Sequence, residues 1–387
     1  MAIRYITSGE SHGKALIVIL EGFPANLKIN AEEIDFELKR RQKGYGRGGR
    51  MLIETDKVEI LSGVRHGTTL GSPITLLVKN SDYKNWEKIM SSEMESLSTK
   101  NSLTKPRPGH ADLPGGIKYN QRDLRNILER ASARETTVRV AAGAVAKKML
   151  SYFNIKVQSH VIKLGPVISN NKKLNLAKLN EIADNSPVRM LDKKAEIEAI
   201  AVIDRAKDVG DTVGGIIEII TTGVPPGLGS HVQWDRKIDG KLAQALMSLQ
   251  AIKGVEIGNG FENAGKLGSQ VHDEINFNKA KGFYHDSNRA GGIEGGVTNG
   301  EPVIVRVAKK PISTLRKPLK SIDIITKKRI KAAYERSDVC ALPAASVIGE
   351  AICSWVFVDS LLEKLGGDFM EEILKRYDLY LKHIKGY

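Results

Sequence analysis

The chain of 387 residues is long enough for one large domain or two ordinary ones, and its 41% hydrophobic and 27% charged residues exclude a disordered or fibrous protein. A net charge of +14 calls for an anionic partner, either nucleic acid or a small polyanion, but the 5% of aromatic residues never interleave with a basic run, which counts against a single-strand stacking platform. Cys340 and Cys353 are too few for a disulfide framework and form no CxxC, and no signal peptide or apolar run long enough to span a bilayer is evident, so a reduced, cytoplasmic setting without a membrane partner is expected.

Residues 3–20 read as two short strands around Ser8-Gly-Glu-Ser-His-Gly-Lys14, a loop dense in chemistry that includes Ser11 and His12. A helix is predicted over 31–41, with Asn30 as its cap, Glu32 and Glu33 in the first turn and Lys39, Arg40 and Arg41 in the last. Gly44-Tyr-Gly-Arg-Gly-Gly-Arg50 follows; its glycines let backbone amides face an anion, while Arg47 and Arg50 offer forked donors. Alternating apolar residues predict strands within 51–79 (Met51, Ile53, Val58, Ile60, then Ile74, Leu76, Val78), and 80–104 reads as a polar excursion.

In Arg107-Pro-Gly-His-Ala-Asp112, two prolines and a glycine stiffen a loop that carries His110 between Arg107 and Asp112. Helical spacing from Leu124 to Met149 predicts one long or two shorter helices buried on one face. Inside them Arg130-Ala-Ser-Ala-Arg-Glu-Thr136 places Arg130, Ser132 and Arg134, which need either Glu135 and its neighbours or a ligand as partners. Residues 157–222 look like an insertion, with strands at 157–162 and 212–221 and a helix at 192–207. Leu242, Ala245, Leu246, Leu249 and Ile252 mark a further helix ending in Gln250-Ala-Ile-Lys-Gly254.

The densest glycine region, 287–302, lacks a GxGxxG fingerprint and reads as a hairpin on whose backbone a flat ligand can lie. A strand at 303–307 leads to Lys310-Pro-Ile-Ser-Thr314, a cation followed by hydroxyls that suits phosphate. Asp338, in Arg336-Ser-Asp-Val-Cys-Ala-Leu-Pro343, is either a catalytic group or a salt-bridge partner of Arg336 or a helix cap. An amphipathic helix through Ile348, Ala351, Ile352, Trp355, Leu362 and Leu365 and a peripheral basic helix over 368–387 complete the chain. No HExxH, HxH, GxSxG or Walker A pattern is present, so no metal is expected, and the lack of repeats or linkers favours one domain over 1–387.

Taken in order, Gly9-Glu-Ser-His-Gly13, Gly44-Tyr-Gly-Arg-Gly-Gly-Arg-Met51, Arg107-Pro-Gly-His-Ala-Asp112, Arg130-Ala-Ser-Ala-Arg-Glu-Thr136, Val271-His-Asp-Glu-Ile275, residues 287–300, residues 310–314 and Arg336-Ser-Asp-Val-Cys-Ala-Leu-Pro-Ala344 resemble the chorismate synthase family nearly end to end. The resemblance implies an α+β fold, a β-α-β sandwich with helices packed between two antiparallel sheets, usually as a homotetramer. It implies a lyase that converts 5-enolpyruvylshikimate 3-phosphate to chorismate by 1,4-elimination. The cofactor would be reduced FMN, with no net redox change and NADPH as a candidate reductant.

By the same resemblance His110 protonates or holds the flavin, His12 assists the departing phosphate, and Asp338 acts on the proton being lost. Arg130, Ala131, Ser132, Gln250, Ala251, Gly295, Lys310, Pro311, Ile312, Ser313, Thr314 and Arg336 would hold the flavin. Arg41 and Arg47 would lie at the anion entrance, where a nicotinamide phosphate or substrate binds, and Arg50, Arg107, Arg134 and Ser11 would meet the substrate's anions. Lys43 and Lys105 depart from the usual family pattern without touching a motif residue. The competing readings are a basic RNA-binding protein built on the 44–50 loop, for which His12, His110 and Asp338 would be dispensable, and a flavin-dependent redox enzyme, for which no nicotinamide domain is evident.

Overall fold

Two antiparallel sheets with helices between them form the body of the protein. The computed structural model describes residues 3–48, 55–93, 102–170, 175–280, 282–335 and 337–387. In the first sheet β1 (Arg4–Ser8) pairs with β2 (Ala15–Glu21), leaving the His12 loop at one end. Helix α1 (Ala31–Gln42) starts as expected, with Asn30 accepting the Glu33 amide and acidic and basic residues at the ends that suit its dipole. After it come β3 (Val58–Ser62), the small hairpin β4 (Val64–Arg65) and β5 (Thr68–Thr69), and β6 (Ile74–Lys79). The sheet order is β1-β2-β6-β3, and its alternate residues Leu16, Val18, Leu20, Ile74, Leu76 and Val78 face the core. Met51 and Ile53, predicted on a strand, lie outside the described residues.

Helices α2 (Asp112–Lys118), α3 (Arg125–Ala131) and α4 (Thr136–Ser151) follow, with a single 3-10 turn between the last two. The periodic stretch from Leu124 is therefore two helices. Contrary to expectation α4 is buried on nearly every side, because it packs on β2 and β6 of one sheet and on β7 of the other. The second sheet uses β7 (Lys156–Leu164), β8 (Val167–Ile168) and β9 (Gly215–Thr222), with α5 (Leu179–Asp184) and α6 (Lys193–Asp208) between the last two. Helix α7 (Ile238–Met247) then leads to β10 (Ile252–Ile257). The short helices α8 (Gly260–Asn263) and α9 (Gly268–Val271) come next, then the hairpins β11 (Ile275–Asn278) with β12 (Gly282–His285) and β13 (Ile293–Glu294) with β14 (Val297–Thr298). They precede β15 (Val303–Lys309), and the sheet order is β10-β15-β9-β7-β8. The hairpin β16 (Lys320–Ile322) and β17 (Arg329–Lys331) and the helices α10 (Leu342–Leu365) and α11 (Met370–Gly386) end the chain.

Three expectations change. Residues 157–222 are no insertion, because β7 and β9 pair with each other within the second sheet; only the stretch between β8 and β9 is an excursion. The helix predicted through Ile252 stops at Met247, and Ile252 opens β10 beyond a sharp turn at Ala251. Helix α10 is not amphipathic: among the described residues it is the one helix long and apolar enough to cross a membrane, and its apolarity reflects burial, since it packs on α4, β7 and β9.

Small residues permit that packing. A Cβ on Gly143 of α4 would stand 2.2 Å from the Ala351 Cβ of α10, and one on Gly349 would stand 2.6 Å from Ile219 of β9. Beside Gly349, the fully buried Glu350 accepts hydrogen bonds from Arg40 (2.8 and 3.0 Å), Arg189 (3.1 Å), the Ser159 hydroxyl (2.6 Å) and Lys147. Burial alone would raise its carboxyl, but Arg40, Lys147 and Arg189 outweigh this and hold it far below the ordinary range. Replacing Glu350 by Gln strands buried cations and is expected to lower stability by about 3–5 kcal/mol, read as the shift of the urea unfolding midpoint. An unchanged midpoint would mean that Arg40, Arg189 and Lys147 find other partners.

Candidate active site

Loops at the ends of both sheets converge on a cavity of about 680 Å3, a volume within the roughly 300–1,000 Å3 usual for small-molecule sites. The β1–β2 loop contributes Ser11 and His12, the end of α1 and the glycine run contribute Arg41 and Arg47, and the Pro-flanked loop contributes Arg107 and His110. The α3–α4 junction adds Ala131, Ser132 and Arg134, and the turn before β10 adds Gln250 and Ala251. Lys310, Ile312, Ser313 and Thr314 follow from the end of β15, and Asp338 from the segment ahead of α10. His12, His110 and Asp338, far apart in sequence, thus line one cavity.

His110 is held as its loop suggested. Its Nδ1 lies 2.6 Å from Asp112 Oδ1, and Arg107 donates to both Asp112 oxygens, with its Nη2 3.1 Å from the same imidazole nitrogen. Arg107 also donates to the Thr314 hydroxyl (2.9 Å), tying the 107–112 loop to 310–314. Arg107, expected to clamp substrate, is thus committed to Asp112 and Thr314 and chiefly shapes the His110 loop. Burial would raise the Asp112 carboxyl, but hydrogen bonds from His110 and Arg107 hold it well below its usual range.

His12 has a partner that the sequence reading did not single out. Its backbone N–H donates to Glu129 Oε2 (2.9 Å), and its Nδ1 lies 2.8 Å from the same oxygen. Trp86 stacks on the ring with centroids 4.0 Å apart, and the Arg125 guanidinium lies over the indole at 5.0 Å. Residues 80–93 are accordingly no mere polar excursion: Asp82, Asn85, Trp86 and Ile89 line the cavity. The signals were an acid next to the Arg130 motif and a lone tryptophan in a polar stretch.

The glycine run has a packing cause. Residues 44–48 lie alongside 337–343, and added Cβ atoms at Gly44, Gly46 and Gly48 would meet Pro343 at 2.7 Å, Cys340 at 3.1 Å and Ser337 at 2.9 Å. The Val339 amide donates to the Gly46 carbonyl across this contact (2.8 Å). The anion expected near the run is supplied by the protein: the Gly48 amide donates to Asp338 Oδ1 (2.7 Å), and Arg47 Nε pairs with Asp338 Oδ2 (2.9 Å). Asp338 therefore has Arg47 as its ion-pair partner; Arg336 and Arg50 lie outside the described residues.

Other expected ligands are placed differently. Arg41 lines the cavity but is only 4% exposed, and it binds Asp56, the Thr136 hydroxyl and the Ala133 carbonyl instead of standing at an entrance. Arg134 meets the same Asp56 (2.6 Å) and Asn80 (2.9 Å), so protein groups other than Glu135 satisfy it. Arg130 donates to the Thr7 and Gly9 carbonyls, bracing the His12 loop from outside the cavity wall. Gly295 sits at the β13–β14 turn beside Lys237, and Pro311 backs onto Gly214; neither is among the cavity-lining residues. Ser132 donates to Ser11 (3.2 Å). Among the described residues no group of three or more His, Cys, Asp or Glu could hold a metal ion.

The chorismate synthase family profile matches residues 3–362. The chain belongs to that family. It is 56% identical to the chorismate synthase of Aquifex aeolicus over 100% of this chain and 99% of that one, and 54% identical to that of Geobacter metallireducens over the whole of both. A crystal structure of a chorismate synthase superposes with a TM-score of 0.82 at 48% identity, covering 100% of this chain and 99% of the other. As a chorismate synthase the protein is a lyase of the shikimate pathway and serves aromatic amino acid biosynthesis.

A chorismate synthase site must bind a small anion, and the charges here favour one. Burial, with Arg134 and Arg47 nearby and only Asp56 and Asp338 opposing, pulls the Arg41 guanidinium below its ordinary value. Lys309, which the sequence reading did not single out, is pushed down to about 8 by burial and by Lys310 and Arg47, against Cys340 and Asp338. Lys310 is lowered by burial and by Lys253. A bound anion would relieve all three. Gln250 lines the cavity, but its Oε1 is fully buried and has no hydrogen-bond partner among the described residues.

Asp112 generates a prediction with a definite sign. Its carboxyl lies lower in the folded than in the unfolded chain, so its stabilisation is complete above an unfolded value of about 3.9 and fades as pH falls through the folded value. Asp112→Asn should cost about 3–5 kcal/mol at neutral pH, since Arg107 loses its buried partner. Melting temperatures should differ from those of the parent protein by a constant gap from pH 7 to about pH 4 and begin to approach them only below it. A gap that stays constant as pH falls further would refute the assignment.

Proposed function

We propose that the protein converts 5-enolpyruvylshikimate 3-phosphate to chorismate, losing phosphate and a proton in a 1,4-elimination, with reduced FMN in the same cavity and no net redox change. One observation carries the reading: His12, His110 and Asp338 line a single cavity whose wall also holds Arg41, Arg47, Arg134, Lys309 and Lys310. That set suits a substrate with a phosphate and two carboxylates, and Lys310 with the Ser313 and Thr314 hydroxyls suits the phosphate of FMN. Reduced flavin, when bound, supplies transient electron density to the substrate ring as phosphate leaves. Ser132, Gln250, Ala251, Lys310, Ile312, Ser313 and Thr314 would hold it.

The side chains do the rest. His12 gives a proton to the departing phosphate, whose charge the neighbouring cations stabilise. His110, fixed by Asp112 and Arg107, holds its proton toward the flavin. Asp338 accepts the proton lost from carbon; Arg47 and the Gly48 amide engage its two oxygens, so an anion that draws Arg47 away frees one of them. NADPH is the reductant proposed for the flavin, with Arg47 rather than the buried Arg41 as its contact. A single domain over 1–387 acting on small molecules, as a cytoplasmic homotetramer, completes the proposal. The segment 44–48 is packed against 337–343, which disfavours a free RNA-binding loop.

The test is anaerobic turnover of 5-enolpyruvylshikimate 3-phosphate with chemically reduced FMN. Chorismate and phosphate should appear in equal amounts, neither should form with oxidised FMN, and His110→Ala should slow both by about 100-fold or more. A folded protein that binds FMN and releases neither product would overturn the reading.

A further inference from the structure

Glu129 is bound into the site more tightly than a bystander carboxylate requires. One oxygen, Oε2, accepts the backbone N–H of His12 at 2.9 Å and lies 2.8 Å from the Nδ1 of the same residue. The other oxygen lies 3.0 Å from Nδ1 and accepts a hydrogen bond from Arg125 at 3.2 Å. The Glu129 carbonyl accepts the Ser11 amide at 3.0 Å, so two successive loop residues are moored to one residue of α3. The Glu129 side chain is 2% exposed. Burial would raise its carboxyl, but the bonds to His12 lead the interactions that hold it below its ordinary value. Trp86 covers one face of the imidazole. Held at its Nδ1 edge, at its backbone and on one face, the ring cannot turn over without breaking these contacts together. Its Nε2 edge lies away from Glu129.

We propose that Glu129 is a positioning residue for His12: its carboxylate fixes the ring orientation and tautomer so that Nε2 is the nitrogen that meets the departing anion. This rests on the reading of His12 as the proton donor to phosphate. As the C–O bond breaks and its electron pair passes to the phosphate oxygen, His12 releases the Nε2 proton to that oxygen and is left neutral. Its Nδ1–H stays on Glu129, and Glu129 itself neither gains nor loses a proton. Asp112 stands in the same relation to His110, so each cavity histidine has its Nδ1 on a buried carboxylate.

The experiment is a double-mutant cycle with steady-state turnover under reducing conditions, circular dichroism reporting the fold of each variant. Glu129→Gln keeps the shape and removes the charge; kcat should fall about 10–100-fold while KM for the substrate stays within about threefold. Glu129→Asp, which retains a carboxylate, should recover part of the loss. In a His12→Asn background Glu129→Gln should cost nothing further, because its effect passes through the imidazole. Three results would overturn the inference: a Glu129→Gln rate within twofold of the parent beside a crippled His12→Asn, the same fractional loss in both backgrounds, or a Glu129→Asp no better than Glu129→Gln. If His12→Asn itself turns over at the parental rate, the proton-donor reading falls first and this inference with it.

Discussion

Buried positive charge is the constraint on which this structure depends. Arg40, Arg41, Arg107, Arg134 and Arg189 are all nearly sealed from solvent, and each is met by a carboxylate, near in sequence for Arg107 and distant for Arg134. An arginine cannot shed its charge to escape burial, so each must be matched or the fold loses several kcal/mol. Glu350 does this deep between the sheets. Asp56 and Asp112 do it behind the cavity, where compensation stops short of complete and the wall stays receptive to an anion. The same physics builds the core and the site; only the degree of neutralisation differs.

Glycine plays a matching part in bringing backbones together. Gly143 and Gly349 let α10 approach α4 and β9, and Gly44, Gly46 and Gly48 let residues near the start of the chain lie on 337–343. Had these positions carried side chains, Arg47 would not reach Asp338 and the Gly48 amide would not point at it. The catalytic aspartate of the proposal is thus oriented by a segment almost three hundred residues away, through close contact that side chains larger than hydrogen would prevent.

How much of this was legible in the sequence follows from range. The cap and charged ends of α1, the two strands around the His12 loop and the Arg107–His110–Asp112 cluster depend on neighbours within a few residues, and each was read correctly. Asp56 and Glu129 act on Arg134 and His12 across 78 and 117 residues, and nothing in the sequence around Arg134 or His12 points to them as partners. Helix α10 was taken for amphipathic because its apolar residues sit at helical spacing, but spacing does not say that its other faces are covered too. The position of β7 and β9 was misread as an insertion because chain order carries little information about strand order. Arg130 was expected on the ligand and instead braces the His12 loop, since the motif marks its importance without showing which way its side chain turns.

The alliance of 44–48 with 337–343 also bears on how the protein is made. Residues 4–79 contain every strand of the first sheet, and they leave the ribosome long before α10 exists. Until then Arg40 lacks Glu350, Arg47 lacks Asp338, and the apolar surface that α10 will cover stays open. The pocket wall that carries Asp338 is therefore completed only after the first sheet has been made. A prematurely terminated product would be incomplete at the reaction centre and would display sticky surface, which suits it for removal by proteases. One aspartate thereby joins a segment made early to one made late, so this wall of the pocket cannot form until both have been synthesised.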